Sequence, residues 1–169
     1  VSLHAFSTAQ ACSVDGKSGF APENDVKIPV NYVFAAAATM DERTFNEIID
    51  RVENVYSPII AQMNAKLYVD RKWQDPTANA YAKREGENEE EWMVAMFGGL
   101  ARHPDMTNDG FMLVMCHELG HQIGGAPIYK PRFPGRIEWA ANEGQADYFG
   151  ALKCMRKVLA NDNNEAIMR

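Results

Sequence analysis

His117 and His121 stand four residues apart in the run His117-Glu118-Leu119-Gly120-His121. On an α-helix this spacing puts both imidazoles on one face, one turn apart. Two imidazoles so placed can hold one tetrahedral zinc ion. Glu118 is turned about 100° around the helix from His117. It can flank the metal without ligating it and take a proton from a zinc-bound water. The metal lowers that water's pKa toward about 7, so a carboxylate is base enough at neutral pH.

A catalytic zinc site needs a third protein ligand. The metzincin spacing would place it at Pro127, which has no group to offer. The other histidines, His4 and His103, lie upstream, and His103, before Pro104, reads as a loop residue. Glu143 is the expected ligand, with Asp147 four residues later on the same helical face. Metal-bound histidines usually pass their second N–H to a carboxylate, which suits Asp147. A donor for the developing oxyanion is also needed. Tyr129, Arg132, Arg136, Tyr148 and His103 are the choices; Tyr129, between the two zinc-bearing helices, is retained.

These groups need elements to hold them. Phe111, Met112, Met115, Leu119 and Ile123 form a buried stripe on the His117 helix, capped by Thr107 or Asn108 and ended by Gly124-Gly125. Residues 126–135 contain three prolines and read as a loop. A second helix is expected from about Ile137 to Leu159. Upstream, Glu42 to Lys66 has helical spacing after the Asp41 cap, with Pro58 expected to kink or divide it. Residues 28–35, 67–73, 79–83 and 92–100 read as strands, and the acidic run 85–91 as a solvated turn rather than a calcium site. Residues 1–27 read as an irregular arm of a single domain.

The 169-residue chain is 46% hydrophobic and 24% charged, as expected of a globular domain with a real core. A net charge of −6 argues against a nucleic-acid surface. No apolar run is long enough to span a bilayer. Cys12, Cys116 and Cys154 lack the C-x-x-C pairing of zinc knuckles. Cys116 reads as a core thiol or as paired with Cys154 or Cys12; Cys12 capping the zinc as a thiolate is a minor alternative. The methionines, including Met93, Met96, Met112 and Met115, read as core filler. The chain starts at Val1 with no leader-like segment, so it reads either as a trimmed cytosolic protein or as an exported one whose signal peptide has been removed, and export is the expectation.

Over roughly residues 67–155 the chain resembles the gluzincin metallopeptidases, through the H-E-x-x-H of 117–121 and the E-x-x-x-D of 143–147. Asn142-Glu143-Gly144 and Asp147-Tyr148-Phe149-Gly150 are similar to thermolysin-like enzymes. The order Asn79-Ala80-Tyr81-Ala82, Gly99-Leu100, His117 to His121, Glu143 to Asp147 is similar to the HtpX and CAAX-protease branch, without its membrane helices. The resemblance implies Glu143 as third zinc ligand and Glu118 as general base. It also implies that Asn79, Ala80 and Tyr81 form a cleft rim on which an extended substrate adds as a strand. The expected fold is α+β and zincin-like: a small mixed or antiparallel sheet packed on the H-E-x-x-H helix and a second, Glu-bearing helix.

The expected activity is hydrolysis of peptide bonds in a peptide or protein by zinc-bound water, with one Zn²⁺ and Glu118 as base. The alternatives are a zinc-holding structural or interaction module without turnover, and a zinc amidase acting on a cell-wall-type peptide.

Overall fold

The computed structural model describes residues 19–22, 24–31, 40–87, 89–128 and 139–167. Helix α1, Glu42–Ala61, begins at Asp41, whose carboxylate accepts the Thr44 N–H at 2.7 Å. Such a cap contributes about 1 kcal/mol. Phe45, Ile48, Ile49, Val52, Tyr56 and Ile60 recur at helical spacing and are all buried. Pro58 lies inside α1 without dividing it. It falls within the last turn, so the one bond its missing N–H forgoes, to the Asn54 carbonyl, lies close to the helix end.

Strands β1 (Lys66–Lys72), β2 (Ala80–Glu85) and β3 (Glu91–Phe97) make one mixed sheet in the order β1-β3-β2. β1 runs parallel to β3, and β2 antiparallel to it. The β2–β3 connection is the acidic turn, with Gly86 and Glu89 at positive φ. Central β3 is covered on both faces. Trp92, Val94 and Met96 enter the main core, while Met93, Ala95 and Phe97 pack with Tyr81 on the other face.

Three expectations change here. The strand expected from Trp92 to Leu100 ends at Phe97, and Gly98–Ala101 form the short helix α2. Gly98 and Gly99 lie so close to the Trp73 and Pro76 carbonyls that no side chain fits. The strand expected from Ile28 is not formed at residues 28–31, which end in a turn; residues 32–39 lie outside the described residues. Ile28 is instead buried as an anchor, its carbonyl accepting from the buried Arg102 guanidinium at 2.8 and 2.9 Å.

Helix α3, Asn108–Ile123, crosses the sheet and is buried on nearly every side. Thr107 caps it by accepting the Gly110 N–H at 3.0 Å, and Gly125 after its end has φ 81°. Gln122 fastens it to the sheet, donating to the carbonyls of Lys83 and Met93 and accepting from Arg84. Met93, Met96, Met112 and Met115 are buried as expected of core filler, but Met63, in the turn after α1, is 51% exposed, so that expectation does not hold for every methionine.

The third change is in the second helix. It begins at Glu143, not near Ile137: α4 spans Glu143–Phe149, a π-helical segment Gly150–Met155 follows, and α5, Arg156–Val158, completes it. Residues 139–142 stay extended because Ala141 bridges Ile128 and its N–H donates to the His121 carbonyl. A short terminal helix α6, Asn164–Ile167, follows. Cys116 and Cys154 form a disulfide between α3 and the π segment, both side chains fully buried. The architecture is α+β with a small mixed sheet. No helix among the described residues is long and apolar enough to cross a membrane.

Candidate metal centre

His117 and His121 project from the buried middle of α3, and Glu143 from the first turn of α4. Asn142 starts α4 by accepting the Gln145 N–H at 3.0 Å. Glycines permit the close approach of these helices. A Cβ on Gly120 would lie 2.7 Å from the Ala146 carbonyl oxygen, and one on Gly150 would lie 3.2 Å from the His117 nitrogen. Mid-helix glycine is otherwise unfavourable by roughly 0.5–1 kcal/mol against alanine.

Three potential ligand atoms converge. His117 Nε2 is 3.1 Å from His121 Nε2 and 3.1 Å from Glu143 Oε2, and His121 Nε2 is 3.6 Å from that oxygen. Tetrahedral ligands at the usual zinc distances of about 2.0–2.2 Å would stand about 3.3 Å apart. The triangle fits that geometry. Both His121 and Glu118 are fully buried, whereas the Glu143 side chain is 48% exposed.

Hydrogen bonding on the far side of each ring argues the same way. His121 Nδ1 is 2.7 Å from the Ala141 carbonyl, which can only accept, so Nδ1 carries the proton. His117 Nδ1 is 2.8 Å from Asp147 Oδ1, and a carboxylate likewise only accepts. In the neutral rings both Nε2 atoms are therefore unprotonated and face each other beside a carboxylate oxygen. Such an array of lone pairs calls for a cation. Burial opposes charge on His117, but Glu143, Glu118 and Asp147 outweigh it and raise its pKa above the ordinary imidazole value. Without metal, a proton answers the same demand.

The residues singled out from sequence meet different outcomes. His117, His121, Glu143 and Asp147 come together as described, and Glu118 lies buried on the same helix. Asn79, Ala80 and Tyr81 lie at the start of edge strand β2, but the chain's own Gly19–Ala21 segment rests against Asn79 and Ala80. Tyr81 packs against Phe97. Tyr129, Arg132 and Arg136 lie outside the described residues. His103 is a loop residue, its Nδ1 accepting the Asp105 N–H.

Sequence reasoning missed the Ala141 carbonyl behind His121, which no side-chain motif could signal. It also missed the structural use of Gly120 and Gly150. Their position inside helical patterns was the available sign. No family model matches the chain, and no curated protein or solved structure does so either.

Proposed function

We propose that the chain is a zinc-dependent peptidase of the gluzincin type, with a zincin-like fold. The observation that carries this is the triangle of His117, His121 and Glu143 ligand atoms, each histidine backed by its own acceptor. Two histidines and a glutamate are a ligand set used by catalytic zinc sites. The half-exposed Glu143 leaves solvent and substrate a way to approach.

When bound, zinc would acidify a water molecule and polarise the scissile carbonyl. Glu118, desolvated beside the metal face, takes the proton of the attacking water and passes it to the departing amine. Asp147 and the Ala141 carbonyl hold the two rings in the tautomer whose Nε2 carries the lone pair a metal would use. The buried Cys116–Cys154 disulfide supports an oxidising, exported location.

The test combines elemental analysis with cleavage of an unbiased peptide library. Zinc should be present at one ion per chain, and library peptides should be cut. Glu118→Gln should keep zinc and lose turnover by at least about 10²-fold. Glu143→Ala should lose zinc. Retained activity in the first variant removes Glu118 as base, and full zinc occupancy in the second removes Glu143 as ligand. Zinc with no cleavage in the unaltered chain would favour the binding-module alternative.

A further inference from the structure

Residues Gly19–Ala21 lie along the start of β2, held by one main-chain hydrogen bond and by the Asn79 side chain. The Phe20 N–H donates to the Ala80 carbonyl at 2.7 Å. The Asn79 side chain clamps the next residue from both sides, accepting the Ala21 N–H at 2.9 Å and donating to its carbonyl at 3.3 Å. The segment runs antiparallel to residues 76–80, since Ile28 bonds to Pro76 while Phe20 bonds to Ala80. Gly19 is tight against the strand, with a Cβ there falling only 2.1 Å from the Ala80 oxygen. The Phe20 ring meets the His117 imidazole edge-on, 5.3 Å between centroids.

The Phe20 side chain is more exposed than that of Ile28, the anchor that follows it. Ile28 is buried, donates to Pro76 and receives two bonds from Arg102, while Val26 accepts from Ala78. Phe20, by contrast, remains 41% exposed. Between them is a small turn in which the Asn24 side chain bonds to Pro22 and Val26. Phe20 is outside the main core cluster while Ile28 stays anchored, so Gly19–Ala21 forms a strap whose release from the edge would leave the core intact.

We propose that Gly19-Phe20-Ala21 is an intramolecular pseudo-substrate. It lies in the track of an extended peptide and restrains access to the metal centre, with Phe20 marking a subsite beside His117 that accepts an aromatic side chain. This rests on the peptidase reading, in which an extended peptide adds to the β2 edge. Strand addition uses main-chain hydrogen bonds for affinity and side-chain subsites for selectivity, and the strap displays both kinds of contact. A tethered segment competes at high effective concentration. A free peptide's apparent affinity therefore falls by the fraction of molecules whose edge is open.

The test uses the full chain carrying Glu118→Gln, zinc-loaded, so that bound peptide is not cut. The probe is a fluorescein-labelled heptapeptide, Lys-Ser-Gly-Phe-Ala-Pro-Glu, copied from residues 17–23. Adding Gly19→Ala or Phe20→Ala should raise its affinity by about tenfold or more, as the edge is vacated. A probe with alanine in place of phenylalanine should lose most of that affinity. In the chain with an intact strap, unlabelled heptapeptide should accelerate hydrogen exchange at the Phe20 amide. Equal affinity with and without the strap substitutions overturns the proposal, as does absence of binding to either variant. Unaltered Phe20 exchange under saturating peptide also overturns it, and decides the matter should a strap variant fail to fold. Failure of the peptidase reading would show separately, as absence of library cleavage by the unaltered chain and its strap variants. The probe binding and exchange measurements do not depend on turnover.

Discussion

Gly120 and Ala146 meet where α3 and α4 cross, so close that a methyl group on Gly120 would stand 2.7 Å from the Ala146 carbonyl oxygen and 2.8 Å from its Cα. Both neighbours are backbone atoms, which cannot rotate out of the way. The contact lies one position before His121 and three after Glu143, so helix separation there acts directly on the ligand triangle.

Gly120→Ala sets two effects against each other. Alanine favours helix by up to about 1 kcal/mol. Overpacking in a rigid crossing costs about 1–3 kcal/mol. The clash should win because backbone must move to relieve it. The expected result is a lower Tm and weaker zinc binding, read by thermal melts and by competition with a zinc indicator. An unchanged Tm with unchanged zinc affinity would show that the helices tolerate separation.

Asp147→Ala separates tuning of the metal from support of the fold. The Asp147 side chain is 71% exposed, and its described polar contact is with His117 Nδ1 at 2.8 Å. Zinc affinity should drop about 10–100-fold, as for other carboxylates behind a ligating histidine. The unfolding midpoint of the metal-free protein should move little by comparison. Asp147→Asn, which retains an acceptor oxygen, should fall between the two. Unaltered affinity in the alanine variant would remove Asp147 from the centre.

Tyr56 supplies a pH dependence remote from the metal. Its side chain is buried between α1 and the core, and burial pushes its pKa up to about 12. In the unfolded chain the phenol ionises near about 10. The folded pKa is the higher one, so this stabilisation is complete below about pH 10 and is lost as pH rises toward about 12. The difference corresponds to roughly 2–3 kcal/mol. Urea midpoints of the parent should therefore decline across this window more steeply than those of Tyr56→Phe. Parallel declines would show that the phenol titrates normally.

Much of the local framework was legible in the sequence. Asp41 and Thr107 announce helix starts because a side-chain oxygen satisfies an N–H left unpaired at the first turn. The repeat of Phe45, Ile49, Val52 and Tyr56 identifies a buried face because the α-helix brings those positions together. His117 and His121 needed only helical geometry to share a face. The second helix was misjudged at its start. Residues 139–142 have no pattern opposing helix, and are extended because Ile128 and His121, distant in sequence, bind Ala141.

Sequence by itself determined which side chains could hold a metal ion, that α1 and α3 form about where they do, and that a carboxylate follows the histidines. Those properties depend on side-chain chemistry and on local periodicity. Tertiary structure decided that Cys116 pairs with Cys154, that Glu143 reaches within 3.1 Å of His117, and that Phe20 rests on the same imidazole. These depend on how closely separate segments approach. That distance is set by packing at Gly120 and Gly150 and by long-range hydrogen bonds, neither of which leaves a periodic trace in the chain.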